Sequence, residues 1–328
     1  MRVEKIDVAN FSKWDELVAA SPQGTIFHTS DWLTIMNESS NGKLNIFLCY
    51  DNASAIPKVV GGCALTVKRK LFFKVATDSF NRTPYGGVLL GSQSPNIQEI
   101  ITSLILRLQK NFNIVKLVHS PLFSDIRPFT WNGWRCDVRY TYVLDLKGDL
   151  EQNMSKRARN TISKAVRNSI VIRKVDALEN ADIESYWTLE SETFKRQGVK
   201  QTMSLDGLEK ILRQLYDKEK GALWFAETPS GELIAAEIVV YDNKIAHRWS
   251  AASCSKFQNS GAVSLLLYEI AKDLKNRLGY EQFNLMAANT QCLASFVSSL
   301  NPLLVPYYSS TKSTVRHLVD GLVDRFIG

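Results

Sequence analysis

What this sequence lacks excludes several large classes of protein. No apolar run approaches the ~18 residues that a membrane helix needs, although apolar residues make up 45% of the chain's 328. The cysteines (Cys49, Cys63, Cys136, Cys254 and Cys292) are odd in number, far apart and without a CxxC pair. Reduced thiols are expected, not a disulfide framework or a zinc knuckle. The four histidines show no HExxH or comparable spacing, so no metal site is expected. There is no GxSxG elbow, no GxxxxGK[ST] phosphate loop and no GxGxxG after a strand, which leaves serine-hydrolase, P-loop and Rossmann readings without support. The N-terminal stretch MRVEKIDVANFSKWDELV carries charges every few residues, unlike the apolar core of a secretory signal. A cytoplasmic location is the expectation.

What is present points to a soluble chain of about two domains. Its net charge of +7 is concentrated in one place. Lys156, Arg157, Arg159, Lys164, Arg167, Arg173 and Lys174 fall within one short segment that has no acid, and the rest of the chain is neutral. On a helical wheel with Arg157 at zero, Asn160, Lys164 and Arg167 fall at about 300°, 340° and 280°. Ala158, Ile162, Ala165 and Val166 take the other side. A charge run is usually a solvated face, but one without acids repels itself until it meets a polyanion.

Periodicity predicts an internal duplication. Strands at 46–50, 59–67 and 71–77 precede a helix at 96–111 and a strand at 114–118; strands at 223–227, 232–241 and 244–251 precede a helix at 261–277 and a strand at 281–286. Each copy is an antiparallel meander, a helix and a further strand, which predicts a mixed α/β (α+β) architecture of two tandem domains. The boundaries expected are 1–147 and 148–310, with an amphipathic helix at 311–328 packing back on the first domain.

The second helix begins after Gln258-x-x-Gly261-Ala262. A helix start offers unbonded N–H groups and a positive dipole end, and glycine lets a phosphate approach the main chain. The competing reading makes Ser260 a simple N-cap. This segment resembles the pyrophosphate loop of GNAT-type acyltransferases, with Val263 where a last small residue is expected.

Further motifs resemble the Fem family of aminoacyltransferases, whose chains hold two GNAT-like domains. They are Ser21-Pro-Gln-Gly-Thr-Ile-Phe-His-Thr-Ser-Asp-Trp32, Thr83-Pro-Tyr-Gly-Gly87, the basic helix from Lys156, Thr193-Phe-Lys-Arg196, Phe283-Asn-Leu-Met-Ala-Ala-Asn289, and Ser295–Asn301 followed by Tyr307-Tyr308. The chain departs from the family at several positions: Val297 stands where a lysine is common, Asn284 where aspartate is usual, Ala287 where glycine is, and Ile35 and Met36 follow Trp32 where bridge enzymes that take a nucleotide-linked precursor tend to carry a lysine. Between the basic helix and Thr193 it lacks the long charged heptads of a coiled-coil arm, so it resembles an arm-less member.

The resemblance implies two mainly antiparallel mixed sheets flanked by helices, and direct attack of an amine on an acyl carbonyl in a ternary complex. The donor implied is acyl-CoA or aminoacyl-tRNA, with no tightly bound cofactor. The acceptor implied is a small-molecule or lipid-linked amine of a cell-envelope precursor or surface-sugar nucleotide. Such chemistry needs a proton acceptor, because a primary amine titrating near ~10.4 is protonated at neutral pH. Glu237 is one candidate, on a solvated face or lining a cleft; His247 is a second, and Tyr308 could act as acid or substrate wall. Backbone N–H groups where strands splay would form the oxyanion hole. Gln258, Ser260, Gly261 and Ala262 are the donor-binding candidates. Arg157, Asn160, Lys164, Arg167 and Arg196 are the phosphate-binding ones, for a tRNA, a CoA or an anionic membrane surface met transiently. The alternative is a non-catalytic RNA- or membrane-surface-binding protein that kept the fold.

Overall fold

A computed structural model describes residues 1–314 apart from 39, 41, 54–56, 79–81, 93–95 and 243. In chain order the strands are β1 (Arg2–Ile6), β2 (Lys43–Asp51), β3 (Lys58–Lys70), β4 (Phe73–Thr77), β5 (Val88–Leu90), β6 (Ile114–Val118), β7 (Arg135–Asp145), β8 (Val171–Lys174), β9 (Gly221–Glu227), β10 (Leu233–Tyr241), β11 (Ala246–Ser253), β12 (Gln282–Met286) and β13 (Leu303–Ser313). The chain forms two compact units, one of Met1–Arg139 with the described residues 306–314, the other of Tyr140–Val305.

The two units repeat one topology. In the first, β1, β2, β3 and β4 form an antiparallel meander, β6 joins β4 in parallel, and the end of β13 completes the sheet antiparallel to β6. In the second, β8, β9, β10 and β11 form the meander, β12 joins in parallel, and the end of β7 completes the sheet antiparallel to β12. A helix, Ile97–Asn111 or Ala262–Asn276, makes each parallel crossover. The predicted order thus holds, with β1 and β8 as additional edge strands.

The closing strands move the expected boundaries. Residues 142–145 pair with β12, and the division falls at Arg139 and Tyr140 and not at 147. Residues 309–313 pair with β6, so 311–313 are strand where a helix was expected; the remainder of that helix, 315–328, lies outside the described residues. Alternating Ser309, Thr311 and Ser313 suit a strand better than the helix read from the apolar residues beyond them.

Each crossover helix presents an apolar stripe to its sheet. In Ile97–Asn111 the stripe is Ile100, Ile101, Leu104, Ile105 and Leu108, and Asn96 caps the start by accepting from the Glu99 amide at 3.2 Å. In the second unit the core runs through Leu266, Ile270, Ala271, Phe283 and Leu285. Val297 is fully buried in it. An apolar residue therefore stands in the interior where the Fem resemblance led one to look for lysine.

Two of the motifs that carried the resemblance are joints of the first unit. Trp14 Nε1 donates to the His28 carbonyl, Trp32 Nε1 to Thr83 Oγ1 at 3.1 Å, and His28 Nε2 lies 2.9 Å from the Gly86 carbonyl. Gly87 has φ +85°, and a Cβ there would lie 2.6 Å from His119 Nδ1.

His119 is wholly buried, stacked on Phe123 at 4.5 Å, with Nε2 3.0 Å from Ser310 Oγ. Burial pushes its imidazole down from 6.5 to about 3. A proton is thus taken up more readily by the unfolded chain, and the stability held above pH 6.5 drains away as pH falls toward the folded value. At pH 5 the loss from this one group is about 2 kcal/mol. Calorimetry of the protein between pH 7 and 5 should show it, and His119→Gln should flatten that dependence whatever its effect at pH 7.

Candidate functional site

β10 and β11 build the site because their sheet is irregular there. The register shifts between Ile238 and Val239, which places Arg248 opposite Val239 and within reach of Glu237. β11 pairs with β12 only at Ala246–Phe283 and His247–Asn284, yet stays on β10 as far as Ser253. Beyond His247 the two parallel strands diverge. A cavity of about 760 Å³ opens along this part of β11, reaching the loop before helix Ala262–Asn276, the helix Gln291–Val297 and the basic helix Lys156–Arg167.

Glu237 interrupts an otherwise apolar strand and lines this cavity at 1% exposure. Of its two sequence readings, the cleft is the one the structure has. Both carboxylate oxygens accept from Arg248, Oε2 from Nε at 2.8 Å and Oε1 from Nη2 at 2.5 Å. Burial pushes the Glu237 carboxyl above its ordinary 4.5, with the Arg248 charge and hydrogen bonds pulling the other way. The pair uses two of the five guanidinium N–H donors, and Arg248 also lines the cavity.

Gly261 shows why the loop is built as it is. It is the N-cap of Ala262–Asn276, at φ +84°, a conformation L side chains rarely adopt. A Cβ there would come 2.5 Å from the Thr161 carbonyl oxygen and 3.3 Å from Ala165 Cβ. The glycine is needed by the turn and by the close approach of the basic helix. Ser260 Oγ accepts from the Ala262 amide at 3.2 Å, so Ser260 supports the turn without being the cap itself. Gln258, Ser260, Gly261, Val263 and Ser264 line the cavity; Ala262 is buried beside them. The first N–H groups of a helix have no partner within it, which gives this wall its capacity for an anion.

The basic helix begins on Ser155, whose Oγ accepts from the Ala158 amide at 3.2 Å, and it buries Ala158, Ile162 and Ala165. Val166, assigned to the apolar side, is 58% exposed, because on the wheel it falls at about 180°, at the edge of the stripe that Ala158, Ile162 and Ala165 centre near about 110°. Arg157 and Lys164 line the cavity, and Lys164 Nζ donates to the Asn259 carbonyl at 2.8 Å. The seven cations divide unequally. Arg173 pairs with Asp182 and Glu227, Lys174 pairs with Asp273, and Arg159 is bonded to the Glu151 and Met154 carbonyls. No carboxylate among the described residues pairs with Lys156, Arg157, Lys164 or Arg167. The unbalanced charge therefore sits on the helix alone, not on the strand that follows.

Other candidates are placed elsewhere. His247 is buried in β11, in register with Val240 and Asn284, and does not line the cavity. It is the immediate neighbour of Arg248, and successive strand residues point to opposite faces. Tyr308 belongs to the first unit, where its carbonyl accepts from the His119 amide at 2.9 Å. Asn160 and Arg167 are exposed on the basic helix outside the cavity lining. Arg196 is committed to Ser253, with Nη1 2.9 Å from its carbonyl oxygen and Nη2 3.3 Å from Oγ. It steadies the end of β11 at the cavity wall.

Sequence reasoning missed Arg248 and a network behind it. Glu190, fully buried, has its Oε1 3.0 Å from the Tyr186 hydroxyl and 2.9 Å from Ser250 Oγ, while Gln201 Nε2 donates to Oε2 at 3.2 Å. Tyr186 and Glu190 stand one helical turn apart in Asn180–Gln197, so this helix grips β11 two residues from Arg248. The available signal was a second charge on the strand paired with that of Glu237.

Among the described residues no helix is long and apolar enough to cross a membrane, and no cluster of three or more His, Cys, Asp or Glu could hold a metal ion.

Residues 152–291 match the acetyltransferase (GNAT) domain. Among curated proteins none matches the sequence. Three solved structures share the fold at low identity. FemX superposes with a TM-score of 0.69 at 11% identity, over 93% of this chain and 96% of that one. L-PGS from Bacillus licheniformis does so with 0.62 at 13%, over 99% and 98%. A tandem GNAT protein from the clavulanic acid biosynthesis pathway gives 0.58 at 12%, over 95% and 98%. The fold is that of a tandem GNAT protein, and the likeness of fold to FemX extends across almost the whole chain.

Proposed function

We propose that the second unit is an N-acyltransferase that moves an acyl or aminoacyl group from a phosphate-bearing carrier to an amine. One observation carries this reading. A single cavity holds a left-handed glycine opening a helix, two exposed cations and a buried carboxylate–guanidinium pair. The donor's phosphates would lie on the amides of Gly261, Val263 and Ser264, between Arg157 and Lys164, with Ser260 Oγ holding the Ala262 amide. The acceptor nitrogen would attack the acyl carbon near Glu237, forming the amide bond and breaking the carrier's C–S or C–O bond. Glu237, made more basic by burial, takes the ammonium proton before attack; the second N–H proton, lost as the amide forms, passes to the leaving thiolate or alkoxide of the carrier. Unused Arg248 donors and backbone N–H groups where β11 and β12 part would hold the oxyanion. Resemblance to the Fem enzymes supports an amine of a cell-envelope precursor or surface-sugar nucleotide as acceptor.

The donor is either acyl-CoA or aminoacyl-tRNA, and the basic helix separates them. Lys156 and Arg167 lie about 16 Å apart along the helix axis, farther than one pyrophosphate reaches. Thermal denaturation with acetyl-CoA, or with charged tRNA, at about 100 times Kd should raise the transition by about 5–10 °C for the true donor. Reversing Arg157 and Lys164 to glutamate should abolish the shift for either donor. Reversing Lys156 and Arg167 should weaken tRNA alone, and more so as salt is lowered. Stabilisation by neither donor would refute the reading.

A further inference from the structure

The hairpin joining β3 to β4 is the feature the fold itself explains least. Lys70 pairs with Phe73, leaving a two-residue turn of Leu71 and Phe72. Leu71 is 82% and Phe72 96% exposed. Leu71 has φ +55°, a position in two-residue turns that favours glycine or asparagine. A sequence chosen only for folding would put a small polar residue there, and water would meet no aromatic ring. The flanks are equally one-sided. From Thr66 to Thr77 the chain has Lys68, Arg69, Lys70 and Lys74 and no acid. Arg69 stands directly opposite Lys74 across the ladder, an arrangement of like charges that destabilises a hairpin. Burial and the Lys70 charge push the Lys68 ammonium below its ordinary 10.5.

We infer that this tip is a membrane-surface anchor: Leu71 and Phe72 enter the headgroup boundary of an anionic bilayer while Lys68, Arg69, Lys70 and Lys74 meet its lipid phosphates. The charge complementarity is direct, since the cations repel one another in water and each contributes attraction to an anionic leaflet. An apolar tip ringed by cations is also the pattern of segments that lie in the interface and do not span it. No residue of this hairpin lines the cavity of the second unit, so the anchor stands independently of the acyl-transfer reading. It would keep the protein where lipid-linked molecules are found.

The test uses the whole protein with vesicles of phosphatidylcholine alone, or of phosphatidylcholine with about one-third phosphatidylglycerol. Cosedimentation should occur with the anionic vesicles only and fall as salt rises. Removing a cation, as in Arg69→Gln or Lys74→Gln, should lower partitioning about fivefold each. The double change Leu71→Ser with Phe72→Ser should lower it at least about tenfold without altering the melting temperature, because both side chains are solvent-exposed. Phe72→Trp should show a blue-shifted emission on anionic vesicles. Binding that survives the double serine change, an emission from the Phe72→Trp variant that vesicles leave unmoved, or absence of vesicle binding would each overturn the proposal. So would loss of self-association, in place of lipid binding, in the serine variant.

Discussion

Gly261→Ala should destabilise the second unit by about 2–5 kcal/mol and abolish donor binding. A left-handed alanine costs about 1–2 kcal/mol, and its Cβ, 2.5 Å from the Thr161 carbonyl oxygen, would overpack a backbone contact, worth about 1–3 kcal/mol. Relief requires the basic helix to move away from the helix start, which separates Arg157 and Lys164 from the amides they are meant to work with. The melting transition should fall by about 5–10 °C. Ser260→Ala is the control: it removes one 3.2 Å bond to the Ala262 amide, costs about 1 kcal/mol and leaves the turn in place. Unchanged melting and full donor affinity in Gly261→Ala would show that the close approach does not matter.

The second large effect is expected at Glu237 and Arg248. Glu237→Gln keeps the shape but leaves a guanidinium buried without its counter-charge, a loss of about 3–5 kcal/mol. The same substitution removes the proton acceptor and should lower kcat about 10²- to 10⁴-fold. The double change Glu237→Met with Arg248→Met separates the two roles. An apolar pair of similar volume should restore most of the stability, while activity stays lost. In the unaltered enzyme, kcat/KM should rise on an acid limb lying above the ordinary carboxylate value of 4.5, because burial raises Glu237. The stability linkage has the opposite sense: the folded carboxyl holds its proton more tightly than the unfolded one. Its contribution is therefore largest below pH 4.5 and is lost as pH rises through the folded value. Near-normal turnover in Glu237→Gln would remove Glu237 as the proton acceptor, whereas donor binding without any turnover in the unaltered protein would leave only the non-catalytic binding protein.

The departures from the family at Asn284, Ala287 and Val297 each have a definite place in the structure. Asn284 Oδ1 accepts from Thr141 Oγ1 at 2.7 Å and from the Met286 amide at 3.0 Å, so the side chain braces the turn at the end of β12. Met286 and Ala287 both have φ +57° there, the second at the position where the family has glycine. Val297 is core.

Much of the fold was legible because apolar periodicity and turn residues act locally. The meander strands and both crossover helices came out within a few residues of their places. The edge strands β1 and β8, and the pairing by which 142–145 and 309–313 complete their sheets, depend on long-range contacts that periodicity does not register. The site was legible in part for the same reason. Gly261 and the basic helix each carry a local signal, whereas the Glu237–Arg248 pair is made by a register shift across two strands. His247 was singled out on residue type, and strand alternation turns it to the face opposite its neighbour Arg248, away from the cavity lining.

The most direct measurement is hydrogen exchange of the whole protein with and without saturating acetyl-CoA or aminoacyl-tRNA. One of the two should bind and slow exchange at residues 258–266 and 156–167 together, with no effect in the variant carrying Arg157→Glu and Lys164→Glu. Failure of both to bind, or protection confined to residues outside the cavity, would contradict the assignment of the donor site.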